Sequence, residues 1–172
     1  MLRSGVLLVS FLVLSAWAGA QAPGKPDMTA AERLRLHRAN RILLADLVDS
    51  GVKLGNASHP VARAELCQGA ARVLGIALRK AAESQDTDRV AELGEHLTLV
   101  VRDGLVPILD EGRQTIPPES PDGVRLKAVR ESAVGDLNWA RSSLPTAGQV
   151  AENDKIRTLC SALDGLRELL KK

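Results

Sequence analysis

The residues of this chain best suited to metal or acid–base chemistry are few, and the densest group is Glu92, Glu95 and His96. Carboxylate and imidazole groups are common ligands of Zn²⁺ and Cu²⁺. Glu92 and His96 are four positions apart, so a helix places both on one face. At this spacing a Glu/His pair is more often a solvated ion pair. These three residues are nevertheless the best metal ligands that the sequence offers. They define an alternative hypothesis, a metal- or small-ligand-binding helical bundle.

The two cysteines, Cys67 and Cys160, suit a structural bridge better than redox catalysis because they lie far apart in the sequence. Thiol redox sites and c-type haem attachment use C-x-x-C and C-x-x-C-H. In an oxidising compartment, an even number of cysteines favours a disulfide, which across so long a loop is worth on the order of 4 kcal/mol. We expect a Cys67–Cys160 disulfide; the alternative is two buried free thiols.

The sequence contains none of the common catalytic motifs. No Glu-x-x-His pair of a di-iron bundle occurs, and neither a G-x-S-x-G nucleophile turn nor a glycine-rich phosphate loop is present. His37 lies among arginines, and His59 precedes a proline. We therefore expect no catalytic residue, no cofactor and no enzymatic activity.

Trp139 is the one aromatic residue outside the apolar N-terminal segment, which contains Phe11 and Trp17. Sugar platforms, single-strand nucleic-acid grooves and many ligand pockets depend on aromatic faces, so this composition disfavours them. Trp139 sits one position off the apolar stripe of its helix, as expected of a residue that covers the edge of a bundle. Because Trp is enriched in interface hot spots, it is also the first interface candidate.

The first twenty residues have the order of segments that is typical of a secretory signal peptide. Arg3 precedes the apolar run 6–14, and Ala18-Gly19-Ala20 supplies small side chains for cleavage before Gln21. Residues 21–28 contain two prolines and are predicted to be a flexible lead. These features predict an exported protein, periplasmic or secreted, with no membrane span after cleavage.

Residues 29–172 are predicted to form one domain of consecutive amphipathic helices. Thr29 and Glu32 match a capping box, Pro60 suits the first turn of a second helix, and Asp86 or Thr87 caps a third. The predicted apolar stripes are Leu36, Leu43 and Leu47 with, less regularly, Leu34, Leu44 and Val52; Leu66, Ala70, Val73 and Ala77; Val90, Leu93, Leu97, Val100 or Val101, and Leu105; Leu126, Val129, Ala133, Leu137 and Ala140; and Ile156, Leu159, Leu163, Leu166 and Leu170.

The connections between these helices are short, which favours antiparallel neighbours. The third helix either kinks or breaks at Gly104 and Pro107. The expected fold is all-α, an up-and-down bundle of four to five antiparallel helices. A formal net charge of +2 without a block of like charge argues against nucleic acid as a partner. The leading functional hypothesis is an exported, non-catalytic interaction or structural module that binds a protein partner or self-associates.

Overall fold

The computed structural model describes residues 29–145, 151 and 153–171, and the predicted signal peptide (1–20) and flexible lead (21–28) lie outside them. The described chain is helical and contains no strand, which confirms the all-α prediction. Its elements are α1 (Ala30–Asn56), α2 (Pro60–Glu83), α3 (Thr87–Leu99), a π-helical turn (Val100–Leu105), α4 (Val106–Thr115), α5 (Pro121–Ser142) and α6 (Asp154–Lys171).

Side-chain caps determine where several of these helices begin. The Thr29 hydroxyl accepts a hydrogen bond from the Glu32 backbone N–H, and the Glu32 carboxylate accepts one from the Thr29 backbone N–H at 2.8 Å, so the capping box is confirmed. Asp86 caps α3 and Ser120 caps α5 in the same way, each accepting from a first-turn N–H. Pro60 occupies the first turn of α2, where its missing N–H costs no hydrogen bond.

The helix does not break at Gly104 and Pro107. The segment from Thr87 to Thr115 is continuous, because α3 passes through the π-helical turn directly into α4. Pro107 lacks an N–H and its ring crowds the preceding turn, and the wider π-helical turn accommodates this locally. We refer to the whole segment Thr87–Thr115 as the α3–α4 rod.

Four helical segments form a closed ring around the core. The α2 helix packs against the α3–α4 rod and α5, and α6 closes the ring by packing against α5 and α3. The stripes predicted for the third helix, α5 and α6 are buried, so these predictions are confirmed. The largest fully buried side chains come from three of these segments: Val61, Leu74, Leu78, Val90, Val101, Leu105, Ile156 and Leu163.

Chain direction alternates along the sequence, yet the neighbouring helices α2 and α5 run parallel. Near their starts, Nη2 of Arg125 lies 2.8 Å from Oε1 of Glu65. Further along, Nε2 of Gln68 donates to Oδ2 of Asp136. Residue numbers therefore rise together on the two helices. The groove between α2 and α5 is consequently lined by the carboxyl-terminal halves of both.

The stripe predicted for α2 is displaced from the observed one. Leu66, Ala70, Val73 and Ala77 are only partly buried, whereas the buried positions are Val61, Ala64, Cys67, Ala71, Leu74, Leu78 and Ala81. The α2 helix contacts α1, the α3–α4 rod and α5, so apolar residues cover most of its circumference and helical spacing alone fits two stripes. The predicted residues lie on the flank away from α5, since Glu65, Gln68 and Arg72 on the opposite side of α2 contact α5.

The predicted disulfide is wrong, because Cys67 and Cys160 are both free thiols. Sγ of Cys67 lies 3.4 Å from the position that a Cβ on Gly104 would occupy. Leu159, the residue before Cys160, packs on Gly94. Gly94 and Gly104 are separated by about 15 Å along the rod at 1.5 Å per residue. Bonded cysteines need Cα atoms within about 7 Å. The two thiols therefore lie at different levels of the bundle.

Helix α1 lies outside the ring and packs along α2. None of its residues is buried. Of the predicted face, only Leu43 and Leu47 rest on the core, together with Leu54. The prediction is wrong for its other members, because Leu34, Leu36, Leu44 and Val52 are exposed. Oδ1 of Asn40 accepts a hydrogen bond from the guanidinium of Arg89 at 2.8 Å, which ties α1 to the start of the rod. No described helix has the length and apolar character that crossing a membrane requires.

Candidate functional site

A groove lies between the parallel helices α2 and α5 on the outside of the bundle. Its larger hollow has a volume of about 410 Å³ and is lined by Arg72, Gly75, Ile76, Asp136 and Trp139. The adjoining hollow, of about 340 Å³, is lined by Arg79, Glu83, Trp139, Ser142 and Ser143. Trp139 borders both hollows, and we refer to the two together as the Trp139 groove.

Contacts with α2 hold the Trp139 ring in a defined position. The Arg79 guanidinium lies 5.2 Å from the ring centroid, within the range of a cation–π interaction, and is itself paired with Glu83 at 2.6 Å. A Cβ added at Gly75 would lie 4.0 Å from Cζ3 of Trp139, so the ring comes close to the α2 backbone. With 38% of its surface exposed, Trp139 presents a large apolar surface that contacts with α2 hold in place.

Charged and polar groups surround the apolar centre of the groove. Oδ2 of Asp136 accepts a 2.5 Å hydrogen bond from Gln68, and Oδ1 lies 3.5 Å from Nε of Arg72. The neighbouring apolar surface comes from Ile76, which is 42% exposed, and Trp139. An apolar centre within a rim of polar groups is the usual anatomy of a protein–protein interface.

The Trp139 groove does not contain the pairings that hydrolytic chemistry requires. The hydroxyls of Ser142 and Ser143 donate hydrogen bonds to the Trp139 carbonyl oxygen at 2.9 and 2.8 Å. No histidine or cysteine is among the residues that line the groove. A nucleophilic serine needs an adjacent base, and these two serines instead satisfy the carboxyl end of α5.

The metal candidates Glu92, Glu95 and His96 all lie exposed on α3. Glu92 accepts a hydrogen bond from the Arg89 guanidinium at 2.7 Å, as expected of a solvated ion pair. Within the ranges that the structure describes, no three His, Cys, Asp or Glu side chains are grouped so as to hold a metal ion. The structure therefore adds no ligand to these three residues, and their metal binding stays a prediction.

Both thiols are held in their protonated form. Burial raises the pKa of the Cys67 thiol, an effect that the positive charge of Arg63 partly opposes. Burial also raises the pKa of Cys160, with Arg141 acting in the opposite direction. The thiolate is the reactive form of cysteine, so burial lowers the reactivity of both thiols.

The sequence pointed to Trp139 but not to the half of the groove that α2 provides. Arg72, Ile76 and Arg79 recur at helical spacing, which a sequence alone cannot distinguish from a solvated face. The groove exists because α2 and α5 are parallel neighbours, a tertiary pairing that neither helix signals by itself.

No protein-family model, no curated protein and no solved structure matches this chain. Function is therefore inferred from the geometry of the Trp139 groove and from the residues that build it.

Proposed function

We propose that this protein is an exported, non-catalytic interaction module whose helical bundle presents the Trp139 groove to a protein partner. One observation carries the proposal: the one aromatic residue of residues 29–172 lies 38% exposed at the centre of a groove instead of in the core. Exposed, well-supported Trp side chains are the residues most enriched among interface hot spots.

The shape of the groove favours a helical or extended segment of a partner. Two parallel helices frame it, and an amphipathic segment lying along it would set an apolar side chain against Ile76 and Trp139. Arg72 on α2 and Asp136 on α5 place both signs of charge at the rim. Charges of mixed sign select a partner by local pairing and registration more than by long-range attraction.

Export is the second part of the proposal, and the residue order of the N-terminus supports it. Arg3, the apolar run 6–14 and the small residues Ala18–Ala20 follow the sequence of a cleaved signal peptide. Intact-mass measurement of the protein from its native host should give a chain beginning at Gln21. A mature chain that retains Met1 would contradict the export proposal.

Site-specific photo-crosslinking in the native host tests the groove as a partner-binding surface. A photoreactive benzoylphenylalanine replaces Ile76 in the groove or, as the control, Val124, which is exposed on α5 outside it. We expect a single adduct of defined mass from position 76 and none from position 124. Equal adducts from both positions, or none from position 76, would contradict the proposal.

Once the adduct identifies the partner, titration with Trp139→Ala measures the hot spot. Truncating a hot-spot Trp costs about 2 kcal/mol or more, which corresponds to a rise in Kd of about thirtyfold. Val124→Ala should leave the Kd unchanged. A Trp139→Ala variant that binds as tightly as the wild type would remove the groove from the interface.

A further inference from the structure

The outward surface of α1 carries an apolar stripe that no described residue covers. Leu34, Leu44, Val48 and Val52 are 51%, 61%, 57% and 60% exposed. Leu44, Val48 and Val52 follow each other at four-residue intervals, and helical geometry places Leu34 on the same face. We refer to these four residues as the α1 stripe. Six of the eleven large apolar residues exposed in the described chain lie on α1.

The α1 stripe is distinct from the face by which α1 packs on the bundle. Leu43, Leu47 and Leu54 rest on the core, and Val48 follows Leu47 with a rotation of about 100° around the helix axis. Helix α1 therefore has two apolar faces, of which α2 covers only one. The contiguous part of the stripe is Leu44, Val48 and Val52, because Arg41 lies on the same face between Leu34 and Leu44. A contiguous exposed apolar patch on a folded protein marks an interaction site.

Charge is divided unequally between the two ends of α1, and this division indicates what covers the stripe. The first half carries Arg33, Arg35, Arg38 and Arg41, with Glu32 at its start. The second half carries Asp46 and Asp49 with one base, Lys53, which lies 2.6 Å from Asp49. A second α1 running parallel would set arginines against arginines. A second α1 running antiparallel sets Arg38 of each copy beside Asp49 of the other, since both residues flank the stripe on the same side.

The backbone next to the stripe is open to a second helix. A Cβ added at Gly51 or at Gly55 would meet no atom of the described residues within 4 Å, so no part of the chain that the structure describes covers either position. An antiparallel partner centred near Leu44 would bring its own Leu34 to the level of Gly55. Such a contact is two-fold symmetric and uses the same patch on both copies, the commonest arrangement of soluble dimers. Helix α1 offers about 40 Å of length for it.

We propose that two copies of this protein associate by antiparallel pairing of their α1 helices, with the α1 stripe at the centre of the contact. Arg38 and Asp49 flank the α1 stripe on the same side of the helix, so Arg38 of each copy then lies near Asp49 of the other. This dimer uses a different surface from the Trp139 groove and does not depend on the function proposed for that groove.

Sedimentation equilibrium on the purified protein tests the dimer. We expect a concentration-dependent monomer–dimer equilibrium that Val48→Asp weakens at least tenfold. Val124→Asp is the matched control, because Val124 is 58% exposed and Val48 is 57% exposed, and it should leave the equilibrium unchanged. A wild-type protein that stays monomeric at several hundred micromolar, or equal effects of both substitutions, would overturn the proposal. Circular dichroism of each variant checks that it is folded.

A charge exchange tests the antiparallel orientation. Arg38→Glu and Asp49→Arg each place like charges together at both ends of the pair, so each variant alone should dimerise at least tenfold more weakly. Mixing the two variants restores opposite charges at both ends and should recover a heterodimer. The two positions are about 16 Å apart on one helix, so this rescue arises only between copies. Mixing Arg38→Glu with the wild type leaves one like-charged end in an antiparallel pair and should recover only part of the affinity. Full recovery in that mixture would indicate a parallel pair and overturn the orientation.

A membrane surface is the competing occupant, and the same variants identify it. Vesicles of phosphatidylglycerol and phosphatidylcholine are added to wild type, Val48→Asp and Val124→Asp, and co-sedimentation is measured. We expect little binding by any of the three. Binding by a monomeric wild type that Val48→Asp alone abolishes would assign the α1 stripe to an anionic membrane and overturn the dimer. Trp139→Ala should dimerise like the wild type, so failure of the dimer and failure of the groove remain distinguishable.

Discussion

The ring of α2, the α3–α4 rod, α5 and α6 differs from α1 in how it uses apolar residues. Within the described chain, the buried apolar side chains belong to the ring and to the turn that follows α5, and none belongs to α1. More than half of the exposed large apolar residues lie on α1. The same helical spacing thus builds a core in one region and an accessible surface in the other. We infer that the ring carries the stability of the fold and that α1 serves association.

The largest expected contrast is between Leu78 in the ring and Leu44 on α1. Leu78 is fully buried and Leu44 is 61% exposed. Leu78→Ala should lower the free energy of unfolding by about 2–5 kcal/mol through lost burial and cavity formation. Leu44→Ala should change it by no more than about 0.5 kcal/mol. Urea denaturation at low protein concentration measures both, and equal losses would contradict the division between ring and α1.

A smaller contrast is expected between two glycines. A Cβ at Gly94 would overlap the buried side chain of Leu159, whereas a Cβ at Gly51 would meet nothing within 4 Å among the described residues. Overpacking costs about 1–3 kcal/mol, which exceeds the gain of up to about 1 kcal/mol in helix propensity. Gly94→Ala should therefore destabilise the ring, whereas Gly51→Ala should not.

The double variant Gly94→Ala with Leu159→Val tests the cause of that loss. If the loss comes from overlap with Leu159, the smaller valine should relieve it, and denaturation should show a favourable coupling between the two substitutions. Additive losses in this cycle would place the cause elsewhere.

Removing a helix cap should affect the two regions differently. The expected difference in the global free energy of unfolding is about 1 kcal/mol. Asp86 caps the α3–α4 rod, and Thr29 caps α1. Asp86→Ala should lower the global free energy of unfolding. Thr29→Ala should instead speed amide exchange in the first turn of α1 and leave the global transition in place. A Thr29→Ala loss as large as that of Asp86→Ala would mean that α1 unfolds together with the ring.

The smallest effect expected is the pH response of the α1 cap. Hydrogen bonds from the side chain and then the backbone of Thr29 lower the pKa of Glu32 below its ordinary value of 4.5. Because the folded pKa is depressed, the carboxylate stabilises the cap above pH 4.5, and this contribution is lost as pH falls through the folded pKa. Amide exchange at the start of α1, corrected for its intrinsic pH dependence, should show this loss, and Glu32→Gln should remove the response.

Local features of the fold followed from the sequence, whereas features that depend on helix pairing did not. The Thr29–Glu32 capping box and the stripes of α5 and α6 are confirmed because each is decided within one helix with a single buried face. The stripe of α2 was displaced because several neighbours surround that helix. The disulfide prediction failed because neither an oxidising compartment nor an even number of cysteines determines where along the bundle axis each thiol lies.

The candidate site shows the same limit. Trp139 stood out because its residue type is rare in this chain, but the position of Arg79 beside its ring depends on the parallel pairing of α2 and α5. Whether an apolar stripe is buried in the core or left on the surface also depends on which helices become its neighbours. Helical spacing gives the same pattern in both cases.

Native-state hydrogen exchange at two protein concentrations tests the central claim most directly, because it reports the ring and α1 in one experiment. In dilute protein, α1 amides should exchange faster than those of α2 and α6. At a concentration that populates the dimer, exchange in α1 should slow while the ring stays unchanged. Exchange in α1 that is as slow as in the ring and independent of concentration would contradict the account.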